Sequence, residues 1–420
     1  MSQNSINPRR RDILRFGAAA LGTGSLYPIA STFAKSADPI KIGLMDTLTG
    51  FYAILGENDV KGAKLAVSHI NNKGGVLGRP FELLIEDDAA DSNIAVQKAR
   101  KLIQRDKVDF LAGCVTAVAL PISGVAHEFG KVFMDTGAHT DTITGSECHW
   151  TTFRVCGTTW TLAAGNARTL FDKFGGNWYF ITPDYVFGHL EEKAYTKMLE
   201  GFGGKVVGKD LVPLGATDFS ANLIKARQAS PDVLITLSAG DDLVNCLKQA
   251  VQFGLDKRMA IAGGLQELEV VAALPEEARL GWWTFEWYWK QPGVSGDLAK
   301  KIDDFVADYK TMFNDVPTAR SWFAYAGINA LALATEKAGT TDSKKVARAL
   351  EGLVLPPEVA LQPGKCYFRA GDHQLIANAF PGQLKQGATY PDLVEIDAII
   401  PLEDVMLSPE EAGCKMDWPA

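Results

Sequence analysis

His139 lies between Ala138 and Thr140 in DTGAHTDTITG, residues 135–145, where a strand-like run gives way to an irregular segment. An imidazole placed there can hydrogen-bond a ligand or exchange a proton with it. The other five histidines are scattered, and His69 falls in a helix-patterned segment, where a structural role is expected. Asp87 and Asp88, at the end of another strand-like run, could pass for paired acids. With no partner motif they read as turn or cap residues. Cys148-His149 with Cys156 matches no tight zinc spacing, so these cysteines are expected to be thiols or disulfides and no metal is expected. The sequence has no G-x-S-x-G elbow, no P-loop, no G-x-G-x-x-G after its first strand-like run and no H-E-x-x-H. The candidate chemistry is therefore hydrogen bonding to a solute. No catalytic residue and no cofactor is expected.

Six loops carry that chemistry. They are residues 46–56 with Tyr52 and Leu55, 113–121 with Thr116 and Ala117, 135–145 with Ala138, His139 and Thr140, 182–188 with Tyr185 and Phe187, 238–242 with Ala239 and Asp241, and 262–267 with Gln266. They are rich in Gly, Thr and Ser, and most run directly into a helical pattern. Glycine lets backbone approach a ligand, while hydroxyls and helix N-terminal N–H groups hold polar groups. Ordinary turns and helix caps use the same residues. Six such loops at matching positions favour a binding cleft.

The elements that must position these loops alternate. Strand-like runs at 40–46, 81–87, 108–113 and 131–135 are separated by helical patterns at 58–72, 93–106 and from about 118. A second set follows, with strands at 177–182, 204–208, 232–238 and 258–263, and helices from 188, after Asp218 as N-cap, and from 241. This is an α/β pattern of two doubly wound parallel sheets. Such sheets bind ligands beyond the carboxyl ends of their strands, where strand order reverses. Helices dominate from about 298, and PGKCYFRAGDHQLIANAF (363–380) reads as a late hairpin. GWWTFEWYWK, residues 281–290, holds four of the nine tryptophans. Strand alternation would send Trp283, Phe285 and Trp287 to one face and Trp282, Thr284, Glu286 and Tyr288 to the other. Core packing is the plainer role, and a wall of the cleft at Trp287 and Glu286 the sharper one.

The chain has 420 residues, enough for two domains, and a net charge of −8. Residues 1–34 hold Arg9, Arg10, Arg11 and Arg15 against Asp12, leaving −11 on the remainder. An acidic body without a basic stripe excludes a nucleic-acid partner. The N-terminus combines a basic stretch, a moderately apolar stretch and small residues before Ala34, the pattern of an export signal of twin-arginine type. Cleavage near Ala34 and a periplasmic location are expected. Six cysteines allow 15 complete pairings, and spacing does not choose among them.

IKIGLMDTLTG, GENDVKGAKLAVSHINNKGGVLGRPFELLIEDDAAD, LAGCVTAVALPIS and RAGDHQ resemble the branched-chain amino-acid type of periplasmic solute-binding protein, over about residues 40–400. The resemblance implies the type I fold, two lobes joined by a three-segment hinge and closing on a solute. Lobe 1 would span 39–156 plus 286–362, lobe 2 157–285 plus 363–400, with 401–420 as a tail. It implies a monomer that delivers its solute to an ABC permease and ATPase complex. A sensor feeding a membrane signalling protein is the alternative, and a secreted enzyme a remoter one. By the resemblance, Thr116, Ala138, His139 and Thr140 would meet the ligand in lobe 1, with Ala117 where the amino-acid receptors carry Ser. Phe187 fits an aromatic position of lobe 2, and Ala239 stands where they carry Tyr. Their acidic partner for the ligand ammonium falls near Leu265–Gln266, where no acid aligns, and Asp241, Asp242 and Glu267 are the nearby candidates. A buried ammonium without an acceptor costs several kcal/mol. An uncharged or anionic solute with an apolar or aromatic body is therefore expected. Ala90 stands where the receptors carry the disulfide partner of a cysteine near Cys114.

Overall fold

A computed structural model describes residues 38–419. The segment read as an export signal, 1–34, lies outside the described residues. Strand β1 (Ile40–Asp46) leads to helix α1 (Ala53–Asn72), then β2 (Phe81–Asp87), α2 (Ser92–Gln104), β3 (Phe110–Gly113), α3 (Thr116–Glu128), β4 (Phe133–Asp135) and β5 (Thr152–Arg154). These five strands form one parallel sheet in the order β2-β1-β3-β4-β5. Ile40, Ile42 and Leu44 lie on one face of β1 and pack in the core shared with α1, while Met45 joins the opposite core with Leu102 of α2 and Ile122 of α3. Each apolar strand is thus sandwiched between helices, as a parallel sheet requires.

The chain then crosses to a second sheet through α4 (Thr159–Phe174), β6 (Asn177–Pro183), α5 (Val186–Gly201), β7 (Lys205–Val212), α6 (Ser220–Ala229), β8 (Val233–Thr236), α7 (Gly240–Gln252), β9 (Ala260–Leu265), α8 (Leu268–Ala273) and β10 (Trp282–Phe285). Helices α9 (Gly296–Phe313), α10 (Ala319–Ala338), α11 (Ser343–Leu350) and α12 (Pro357–Ala360) follow, with α9 and α10 packing against α1 of the first half. Short strands β11 (Tyr367–Phe368) and β12 (Leu375–Ile376) pair antiparallel, forming the expected hairpin. Then β13 (Asn378–Leu384) and β14 (Val394–Ile396) return to the second sheet, and β15 (Ile400–Pro401) pairs with β13. That sheet runs β14-β13-β10-β9-β8-β6-β7, parallel from β7 to β10 and antiparallel beyond. Among the described residues no helix is long and apolar enough to cross a membrane.

The tryptophan run departs from simple alternation. Only Trp282–Phe285 is strand, held between β9 and β13 inside the second sheet. Beyond Phe285 the two-residue period no longer applies. Trp283, Phe285 and Tyr288 share one core, while Trp287 turns into the other, edge-on to Phe305 and donating its indole N–H to the Leu361 carbonyl at 2.9 Å. Helix α1 begins at Ala53, a turn and a half before the expected 58, and α3 at Thr116 rather than about 118. Helix α6 is capped by Phe219, with Asp218 one residue outside and accepting from Ser220 N–H at 2.9 Å.

Cys148 and Cys414 form a disulfide that ties the C-terminal segment to the loop before β5. Cys114, Cys156, Cys246 and Cys366 are buried free thiols. Trp418 continues that attachment, lying against Trp150 and under the Arg348 guanidinium.

Candidate functional site

In the first sheet β1 lies between β2 and β3, so the loops after β1 and β3 lead to helices on opposite faces. In the second sheet β6 has the same position between β7 and β8. A crevice opens at each reversal. Tyr52 and Leu55 follow β1, Val115 and Thr116 follow β3, Gly137 and His139 follow β4, Tyr185 and Phe187 follow β6, Ala239 follows β8, and Leu265 ends β9. With Arg320 from the first turn of α10, these residues line one cavity, and its free volume is about 10 Å³. That is room for about one water and far below the roughly 300–1,000 Å³ of pockets for drug-sized ligands, so a solute enters only where the loops of the two sheets part.

The cavity wall comes from loops of both sheets, and hydrogen bonds join them. The hydroxyls of Tyr52 and Tyr185 lie 2.7 Å apart, and the Asp241 N–H donates to the Phe51 carbonyl at 3.3 Å. Burial pushes both phenols up, so they stay neutral and one donates to the other. Gly240, at φ +55°, lies where a Cβ would come 2.6 Å from that same carbonyl, so this approach requires glycine.

Thr116 accepts the His139 N–H on its hydroxyl oxygen at 2.9 Å, which leaves its own proton free to donate. The His139 ring contacts Glu286 through Nε2 and lies edge-on to Phe187 and Phe323. Glu286 also accepts the Gly157 N–H. Against the cost of burial, His139 and then these hydrogen bonds hold its carboxyl below the usual range. Glu286 therefore belongs to the support behind the cavity wall.

Of the residues expected at the site, Tyr52, Leu55, Thr116, His139, Tyr185, Phe187 and Ala239 come together around the cavity. Ala138 and Thr140 stand behind it. Their carbonyls accept from the Arg154 guanidinium, which also donates to Gln374 at 2.6 Å and Thr144 at 2.5 Å. The Thr140 side chain caps the short helical turn after it. Ala117 is half-buried one residue into α3. Asp241 is exposed, and its neighbour Asp242 accepts from Gly215 N–H at 2.8 Å, with burial pushing its carboxyl up to about 6. Gln266 is buried against its own backbone neighbour, its oxygen on Glu267 N–H at 3.0 Å and its Nε2 unpartnered. Trp287 lies in the core beneath α9 and does not line the cavity.

Four lining positions escaped the sequence. Val115, Gly137 and Leu265 are immediate neighbours of Thr116, Ala138 and Gln266 and were within reach of the loop pattern. Arg320 was not. It follows no strand, and its partner Glu267 is 53 residues away in sequence.

Comparison with known proteins accords with this geometry. Residues 39–389 match the family model described as periplasmic binding protein. A Leu/Ile/Val-binding protein homolog 2 of Brucella abortus (strain 2308) is 28% identical over 316 residues, covering 74% of this chain and 82% of the relative. A crystal structure of a periplasmic binding protein from Burkholderia mallei superposes with a TM-score of 0.82 at 30% identity, covering 90% of this chain and 98% of that one. An amino acid ABC transporter substrate-binding protein from Pseudomonas fluorescens Pf-5 gives 0.80 at 26% identity, covering 90% and 100%. Two facing α/β sheets with a small cavity at their carboxyl ends define a solute receptor. The chain belongs to the periplasmic binding protein family, on its branched-chain amino-acid side. That family binds solutes and is not enzymatic, and membership implies an exported protein.

Proposed function

We propose that the protein captures a small uncharged or anionic organic solute with an apolar or aromatic body and delivers it, as a monomer, to the permease and ATPase of an ABC importer. The observation that carries this reading is the cavity whose lining alternates between loops of the two sheets. A solute that touches both sets of loops favours the arrangement in which they meet, and only that differential affinity can shift the balance between open and closed forms. Residues 39–156 with 286–362 act as one lobe and 157–285 with 363–400 as the other, with 401–420 as a tail on the first. A twin-arginine-type signal cleaved near Ala34 brings the chain to the periplasm. The lining supports the solute class. Phe187, Leu55, Leu265 and Val115 are apolar, and Thr116 and the helix N-termini supply donors. Differential scanning fluorimetry against a metabolite panel tests it. Stabilisation by organic acids or amides is expected, and a clear shift with leucine or valine but with none of those solutes would refute it.

A further inference from the structure

Arg320 is the one side chain of fixed charge that lines the cavity among the described residues. It is 4% exposed. Its Nε donates to the Glu267 carboxylate, and its Nη1 donates to the Gly137 carbonyl at 2.8 Å. The second terminal nitrogen, Nη2, has no hydrogen-bond acceptor among the described residues. A guanidinium has five N–H donors in a fork that matches a carboxylate, and burying it with donors unused is costly.

The surroundings are built to keep it there. A Cβ at Gly137 would overlap Nη1, so glycine makes the room. Thr318 caps α10 and fixes its first turn. Gly62 of α1 packs directly on the Ser321 carbonyl, which fixes where that turn sits. The pair is a placed feature of the cavity.

Glu267 is 2% exposed, at the N-terminus of α8. It is the carboxylate nearest the place where the family resemblance puts an acid for a ligand ammonium. Here Arg320 of the chain itself takes that acid. A second cation entering beside the guanidinium would face like-charge repulsion and no free partner. An anion meets the opposite. Helices α3, α5 and α7 have Val115, Tyr185 and Ala239 at their N-cap positions, all on the cavity wall and all without a side-chain cap hydrogen bond. Each such terminus carries roughly half a positive charge. Of the nearby acids, burial drives Asp46, Asp59 and Glu191 toward their neutral forms. Asp241 and Asp242 in the first turn of α7 oppose that helix's dipole, and Glu286 is held by His139, so the uncompensated N-termini are those of α3 and α5.

We propose, resting on the receptor reading above, that Arg320 anchors a carboxylate through its unused edge, that the Arg320–Glu267 pair fills the place an α-ammonium would need, and that the solute is a carboxylic acid lacking an α-amino group. The carboxylate takes Arg320 and the Thr116 hydroxyl, and the body lies against Phe187 and Leu265.

Isothermal titration of the purified exported protein with matched solutes tests this. One series is leucine, 4-methylpentanoate and 4-methylpentanamide, and the other phenylalanine, 3-phenylpropanoate and 3-phenylpropanamide. Within each series only the charged groups change. The acid is expected to bind at least tenfold more tightly than both its amino acid and its amide. The paired variant R320Q/E267Q removes both buried charges together, so neither is stranded. It is expected to keep a melting temperature within a few degrees of the parent and to bring acid and amide to within about threefold. An amino acid binding as tightly as its acid overturns this proposal and leaves the receptor reading standing, as does a paired variant that keeps the preference for acid. No binding by any member of either series overturns this proposal, while the receptor reading stands or falls on the wider metabolite panel.

Discussion

Trp287 shows how residue type and residue role separate. Its indole N–H reaches the Leu361 carbonyl and its ring meets Phe305 edge-on, so it joins the segment after β10 to α9 and to the turn after α12. It is 1% exposed. Replacing it with alanine removes a large buried ring, a loss of about 3–5 kcal/mol, while the Leu361 carbonyl keeps the Gln291 amide at 2.8 Å. Trp287→Ala is therefore expected to lower the denaturation midpoint strongly while solute affinity, measured on the folded fraction by calorimetry, stays within about twofold. A large affinity loss at unchanged stability would instead put the indole in the pocket. Arg154 and Arg320 carry a related lesson. Both are charged, both are buried, and each organises a loop by donating to backbone carbonyls. A sequence reading assigns arginine to the surface because most arginines are there. Nothing in the local pattern reveals a guanidinium whose partners lie more than fifty or two hundred residues away, as Glu267 and Gln374 do.

At the scale of elements, the strands and helices that build the site were legible because a parallel sheet writes them as apolar runs alternating with helical periods. All of β1, β2, β3, β4 and β6 fall where the runs are. The edges were less legible for physical reasons. Helix α1 starts early because its first turns bury polar Asn58 and Asp59, which pair with Tyr309 and Thr136 in other elements. Strand β5 is three residues long and ends on Arg154, so it carries no apolar signal. The hydrogen bond that joins the loop after β1 to the loop after β6 is likewise invisible in either loop alone. Tyr185→Phe removes that hydroxyl and leaves the Tyr52 hydroxyl without its partner. The bond exists only when the two sheets' loops meet, so its loss is expected to raise solute dissociation by about 2–12-fold, equivalent to about 0.5–1.5 kcal/mol, with association little changed. Stopped-flow intrinsic fluorescence separates the two rates. Unchanged dissociation would show that the bond does not hold the closed form.

For the whole molecule, charge is sorted by depth, and the sorting sets its response to pH. Acids near the surface, such as Glu86 with Lys98 and Lys101, or Asp210 with Lys225, are held below their usual range by cations despite some burial. Such groups stabilise the fold above their ordinary pKa, and that contribution is lost in acid. Interior acids without a cationic partner have the reverse sign, unlike Glu286, which His139 holds low. Burial, with Asp46 beside it, pushes the Asp88 carboxyl from 3.8 up to about 6. The folded chain then binds this proton more tightly than the unfolded chain, so Asp88 favours folding below about pH 4 and progressively disfavours it as pH rises through 6. Two units correspond to about 3 kcal/mol at most. One Asp88 oxygen accepts from the Thr47 hydroxyl at 2.6 Å and from Ala90 N–H at 2.9 Å, while the other has no partner. Asparagine keeps the first oxygen's bonds and places its amide where nothing is displaced. Asp88→Asn is therefore expected to match the parent near pH 4 and to exceed it by about 1–3 kcal/mol near pH 7. Urea unfolding at both pH values measures the difference. An advantage as large at pH 4 as at pH 7 would mean that it does not arise from ionisation. Loss of stability at both would mean that the buried amide costs more than the charge it replaces.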